Sequence, residues 1–391
     1  MPILRVGGSN LAVGGKRLTV GGVASPSGGS TPYGYLTPTL RDKRIIPFSE
    51  NTCHALLALG SGATYSAAGI TVENFDGYNT FMYGDTYIWQ PDETAPALAV
   101  EYSGGAWTGA TRCNDEGATL QTVRCPTSFV VAGAAGTYDN NCASFLNPDG
   151  ITLKQNQPFT RCVASGIATT YVTFSDISIY GDGLHGPHGG SDIGQPGTIM
   201  SGEFAAGGIP HGLNINLRAS RYYYRDTATT ANTYRWPAFA SDGYNRNDPV
   251  TGEIFGAPGT FGSRGYGGVN TNFKPGTLLA LSTSFNVAGL STLPARIMAL
   301  ALQDYGARVV DDAYSNGIGW SLARTPSSDV ASEFLSLYGY AFRINDMTSG
   351  AAWALDMKAV VEALYIVTND SSSLIGGGGT RRRANHSPIG N

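Results

Sequence analysis

Apolar positions along this chain come in short runs broken by turn residues. Between 41 and 102 the runs at 55–59, 70–72, 80–83, 87–89 and 98–102 have strand length and predict strands. From 103 to 169 Gly, Asn and Cys interrupt the pattern, which predicts long loops and short strands. The segment TYVTFSDISI at 170–179 alternates cleanly. A Gly-rich loop at 181–197 follows, then predicted strands at 198–204, 212–224 and 278–285.

Helical spacing is clear in one place. Ser291 or Thr292 can cap a helix with Pro294 in its first turn, and Ile297, Leu300, Ala301 and Tyr305 keep a stripe until Gly306 stops it. A strand is expected at 307–310. A second helix is expected at 329–338, and a short helix or loop before a final strand within 354–366. Many short strands and one or two short amphipathic helices predict an all-β protein, a β-sandwich or jelly roll with long loops.

The ends differ from this body. LRVGG at 4–8, LAVGG at 11–15 and LTVGG at 18–22 form a seven-residue repeat. Each unit buries too little to fold alone, so residues 1–40 read as an anchoring arm and linker, the repeat either adding strands to a neighbouring subunit or forming a flexible tail. The β-sandwich body is expected at 41–370, and an extended tail carrying Gly376 to Gly379 at 371–391.

Composition narrows the partners. Gly accounts for 53 of 391 residues, charged residues for 14%, and the net charge is −4. Helices tolerate Gly poorly, which favours strands and turns, and an acidic chain has no cationic surplus with which to neutralise phosphates. No nucleic-acid partner is expected. Residues 1–22 never build the apolar core of a signal peptide and no stretch is long enough for a membrane span. These features predict synthesis in the host cytoplasm, no membrane partner, and release on a particle. The cysteine spacing allows bridges from Cys113 to Cys125 and from Cys142 to Cys162, with buried free thiols as the simpler expectation.

The segment 181–312 carries GDGL at 181–184, SGEF at 201–204, IPHGLNINLR at 209–218, YRWPA at 234–238 and PARIMALALQDYG at 294–306. In order and spacing these motifs resemble a family of bacterial and phage-encoded proteins of poorly defined function, although Gly212 stands where that family has Ala. LAVEY at 98–102 resembles the family's earlier acidic strand. The resemblance implies a β-sandwich core related to glycan-active domains. Together with the Gly-paired arm and the Gly-rich tail, it points to a structural protein of a tailed phage or gene-transfer particle. That reading makes the chain a spike, fibre or decoration subunit, an oligomer of identical chains that attaches to host surface polysaccharide.

Candidate chemistry follows two lines. Glycosidic cleavage needs two carboxyl groups several ångströms apart; Glu101 and Glu203 are the expected pair, with His211 as proton carrier. Their bland alternatives are a strand-edge acid, a turn acid and a core histidine. Glycan binding needs flat aromatic faces beside hydrogen-bonding groups, which Tyr222, Tyr224, Tyr234, Trp236 and Arg235 supply; alternation alone turns half of such rings inward. HGPH at 185–188 with Asp182 and Asp192 offers metal-ligand types, yet its Gly-rich backbone lacks the rigidity that zinc wants. No metal or other cofactor is expected, with calcium at Asp182 and Asp192 as the exception to test.

Overall fold

The computed structural model describes residues 11–13, 16–18, 40–72, 81–107, 112–114, 117–131, 140–188, 190–226, 232–241, 266–313, 317–345 and 351–390. Within the arm, β1 (Leu11–Val13) and β2 (Lys16–Leu18) pair antiparallel, with Leu11 opposite Leu18. The rest of the arm lies outside the described residues.

The body is strand-rich. Its strands are β3 (Tyr65–Ala67), β4 (Met82–Gln90), β5 (Ala97–Tyr102), β6 (Thr119–Arg124), β7 (Cys142–Leu146), β8 (Thr152–Gln157), β9 (Ala168–Thr170), β10 (Val172–Ser178), β11 (Leu213–Leu217), β12 (Leu278–Leu281), β13 (Ala307–Asp312), β14 (Ile318–Arg324) and β15 (Leu364–Val367). Ten of them form one mixed sheet, in the order β10-β8-β7-β4-β14-β11-β13-β12-β15-β3, and β6-β5-β9 form a second. Within the large sheet, β4 runs parallel to both β7 and β14, and β11 parallel to β13. The small sheet packs on the β4 and β7 part of the large one through Val100, Val123, Ala168, Ile88, Ala143 and Phe145.

The helices are α1 (Glu203–Ala206), α2 (Ala219–Tyr222), α3 (Leu293–Asp304), α4 (Val330–Tyr338) and α5 (Ala352–Glu362). The helix predicted from Thr292 onward is α3, but its cap comes from elsewhere. Asp356 on α5 accepts bonds from the Ser291 and Thr292 amides at 3.0 and 2.6 Å and from the Thr292 hydroxyl at 2.7 Å. A carboxylate at the first turn satisfies orphan amides and complements the helix dipole, so α3 and α5 are locked end to side. The α4 helix is capped as its sequence suggests, by Asp329 accepting from Ser332 at 3.1 Å, and it stops at Gly339 with φ of 77°.

Several strand expectations change. The run 55–59 forms turns, because its five apolar side chains fill the core without a ladder partner. The runs 80–83 and 87–89 belong to the single strand β4 as far as they are described. The stretch 198–204 contributes a bridge from Ile199 to Leu322 and then enters α1, and 212–224 is split into β11 and α2. Four short strands, β6 to β9, lie in the region expected to hold long loops and short strands, and β14 was not expected at all.

The tail is tied down. Gly60 donates to Gly376 and Gly62 to Gly378 at 2.9 and 3.0 Å, and Arg41 pairs with Ile389. A Cβ on Gly60 would sit 1.8 Å from the Gly378 carbonyl oxygen, and one on Gly377, at φ of 85°, 2.4 Å from the Ala63 Cα. The Gly run of the tail is therefore a close-packing device rather than loose chain. The disulfide links Cys113 to Cys162, a pairing different from both that the spacing suggested, while Cys53, Cys125 and Cys142 are buried thiols.

Candidate functional site

The sites expected from sequence fall in four places. Glu203 opens α1 between Gly202 and Gly207, both left-handed, and is 2% exposed. Its carboxylate accepts from the Met200 amide at 2.7 Å and lies 3.0 Å from Nε2 of His211. The other ring nitrogen of His211 donates to the Gly212 carbonyl at 2.7 Å. Burial pulls the His211 pKa down, but the Glu203 charge and the two hydrogen bonds outweigh it and raise the pKa. This is a buried ion pair with both imidazole nitrogens engaged. Glu101 lies elsewhere: on β5 of the small sheet it is half-exposed and accepts from the Thr119 hydroxyl at 2.6 Å. Among the described residues no hydrogen bond or ion pair joins Glu101 to Glu203 or His211.

The aromatic segment is half-buried and mostly engaged. Tyr222 stacks on Phe273 at 5.6 Å, carries Arg221 over its ring and donates to the Thr71 carbonyl. Tyr224 lies under Lys274 at 5.9 Å, and Tyr234 packs against Ile193, Ala238 and Val310. Trp236 meets the edge of His54 at 6.5 Å and the Arg308 guanidinium at 5.0 Å, while Arg235 donates to the Asp370 carbonyl at 2.7 Å.

In the loop 181–197, Asp182 is exposed and accepts from the Leu184 amide; Asp192 accepts from the Gly186 amide and faces His185 at 3.3 Å. Among the described residues no three His, Cys, Asp or Glu side chains are grouped to hold a metal ion.

The loop has another role, which sequence reasoning missed. Strand alternation sends Leu213, Ile215 and Leu217 of β11 into the main core, so Asn214 and Asn216 face the opposite side of the sheet. Register places Asp85 on β4 beside Ser321 on β14, and Asn216 beside Asp311 on β13. These polar groups converge where β11 and β13 end and β4 and β14 begin. The loop 181–197 covers part of this face: the His188 amide donates to Gln157, Gln155 donates to the His185 carbonyl, and Asn214 donates its amide to Gly197.

At its centre Asp85, 2% exposed, accepts from Asn216 Nδ2 at 2.8 Å and from the Asn140 amide at 3.1 Å. Asn140 Nδ2 bridges two acids, 3.2 Å from an Asp85 oxygen and 3.0 Å from an Asp311 oxygen, and those two distances bound the separation of the carboxylates by their sum. Burial raises the Asp85 pKa against the opposing amide bonds. His188 stands 3.3 Å from the Ser321 hydroxyl and 3.9 Å from Asp85, and burial lowers its pKa to about 4. A buried carboxyl group with a raised pKa beside a second acid has the electronic arrangement of an acid and base pair. The signal in sequence was slight: a strand reading MYGDTYIWQ shows its polar alternation as a solvent face, and only the covering loop buries it.

A second missed feature is on the small sheet. Trp107 and Tyr171 are 44% and 46% exposed, their ring centroids 6.3 Å apart, and Tyr102 follows Glu101 with its ring 6.0 Å from Tyr171. The Cys113–Cys162 disulfide closes the loops beside them. No helix of the described residues is long and apolar enough to cross a membrane. Compared with family models, curated proteins and solved structures, the chain matches none.

Proposed function

We propose that this chain is a surface subunit of a virion or phage-like particle, a spike, fibre or decoration protein that engages host glycan. The observation that carries this reading is the pair of exposed rings Trp107 and Tyr171 next to the small sheet, with the half-buried Tyr102 of β5 against Tyr171. Flat rings that stay in water beside a strand scaffold offer their faces to sugar C–H groups. The half-exposed Tyr222, Tyr224, Tyr234, Arg235 and Trp236 form a second contact region in the same reading. Packing of the small sheet on β4 and β7 supports a sandwich-like core. In this reading the Gly-paired arm, with its β1–β2 hairpin, docks on other particle subunits and the chains form a homo-oligomer.

A second reading, a glycan-cleaving enzyme, is favoured by the Asp85 and Asp311 carboxyl groups joined through Asn140. Retaining cleavage uses two carboxyl groups about 5–5.5 Å apart, one keeping its proton. On this reading the pair is Asp85 and Asp311 in place of Glu101 and Glu203.

One experiment separates the readings: purified chain is mixed with a panel of bacterial surface polysaccharides while retention and polymer length are followed by chromatography. Retention that falls several-fold in Trp107→Ala and Tyr171→Ala, without shortening, establishes an adhesin. Shortening that disappears in Asp85→Asn establishes an enzyme. Neither retention nor shortening overturns the glycan reading and leaves an architectural subunit.

A further inference from the structure

Three arginines crowd one carboxylate beside Trp236. Arg308, 2% exposed, ion-pairs through both terminal nitrogens with Asp370, and Arg235 donates to the Asp370 carbonyl. Arg381 feels the charge of Asp370 and of no other acid, while donating to the Ala58 carbonyl at 2.8 Å. Asp370 is thus shared by all three, as the ion-pair partner of Arg308 and the acid whose charge reaches Arg235 and Arg381, so three guanidiniums meet one carboxylate in a half-buried place. Buried charge without a partner is costly, and the cost is relieved by an anion.

A second, independent observation points to a missing ligand. His54 is 3% exposed, and neither of its ring nitrogens has a hydrogen-bond partner; Nε of Arg308 also has none. Both side chains lie against the Trp236 ring. Burial and then the Arg308 charge push the His54 pKa well down, so the ring is neutral, with one N–H to donate and one nitrogen to accept. An aromatic ring, a neutral imidazole with an unused donor, and guanidiniums with excess charge are complementary to a sugar ring bearing an acid group.

We infer that Trp236, His54, Arg235 and Arg308 form a subsite for the carboxylate of an acidic sugar, so that the glycan engaged is a polymer containing uronic acid. The inference rests on the proposed glycan-binding function and names its ligand class. A carboxylate entering the group takes the unused Nε–H of Arg308 and the N–H of His54, and the Trp236 ring borders the pyranose.

The test uses the full chain with three probes in calorimetric titration: an oligogalacturonate, the same oligomer as its methyl ester, and inorganic phosphate. The expected result is that the acid form binds at least about tenfold more tightly than the ester, weakens with added salt, and loses about tenfold in both Arg235→Gln and His54→Phe. The second variant keeps the ring volume and removes no bond the fold uses. Equal binding of acid and ester, or unchanged binding in both variants, overturns the inference; phosphate as tight as the oligomer reassigns the group to a general anion site and overturns it too. Retention of neutral polysaccharide through Trp107, with no preference for the acid form, sinks this inference and leaves the glycan reading standing. If no polysaccharide is retained, the glycan reading fails by itself. Titration of free galacturonate against the His54 ring resonances then decides the subsite, a shift supporting it and none removing it.

Discussion

Asp85 accepts three amide hydrogen bonds in a buried place, and removing the carboxylate leaves the Asn140 backbone amide and Asn216 Nδ2 without that acceptor, while Asn140 Nδ2 keeps Asp311. Asp85→Ala is expected to lower the unfolding free energy by about 1–3 kcal/mol or more, the cost of buried donors left unmade, measurable by urea denaturation. The pH dependence has a defined sign at two residues. Folded His188 takes a proton only near about 4 while the unfolded chain takes it near its ordinary value, so its contribution to stability rises with pH across that interval, by on the order of 3 kcal/mol. The raised Asp85 works the other way: between its ordinary pKa and its folded one the native state binds more protons, and stability falls as pH rises through that window. Denaturation midpoints from pH 4 to 7 are therefore expected to rise less steeply in His188→Gln and more steeply in Asp85→Asn. Glu203 and His211 were visible in sequence as candidates. Their mutual 3.0 Å contact and their burial were not, because nothing local to positions 203 and 211 states that the chain between them folds back.

Among the elements, α3 shows what an isolated segment can and cannot specify. Its stripe, Pro294 and Gly306 are all local, and the helix is where they predict. The cap is not local, since Asp356 reaches it from α5. Asp356→Ala is expected to cost about 0.5–2 kcal/mol, the usual range for a lost N-cap, and to loosen α5 as well, visible as faster amide exchange in both helices. The contact of the tail with 60–63 makes a sharper prediction. Gly60→Ala brings a methyl group into the Gly378 backbone, so the tail must detach or the turn must move, and limited proteolysis is expected to release the segment after 371 in the variant but not in the parent.

For the whole molecule, the small sheet packs on a larger mixed sheet, and in the proposed reading the rings beside it make the glycan contact. Reduction of Cys113–Cys162, which closes a sequence separation of 49 residues, is expected to lower stability by about 2–4 kcal/mol and to weaken polysaccharide retention through Trp107 and Tyr171. A chain lacking residues 1–40 is expected to keep the parent's circular dichroism while failing to form the oligomer, seen by light scattering. An oligomer that survives the truncation would move the assembly surface from the arm to the body.

Strand richness, the helices α3 and α4 and the aromatic content follow from sequence alone, because turn residues, period and capping residues act over a few neighbouring positions. The mixed order of the large sheet does not, since β4 pairs with β14, from positions more than two hundred residues apart, and no local pattern specifies such a partner. The same holds for the Asp85 and Asp311 pair and for the Arg308, His54 and Trp236 group. Each residue reads locally as an ordinary polar, basic or aromatic position. Only strand register and the loops laid over the sheet bring them together and exclude water, and exclusion of water is what raises the Asp85 pKa and lowers that of His54.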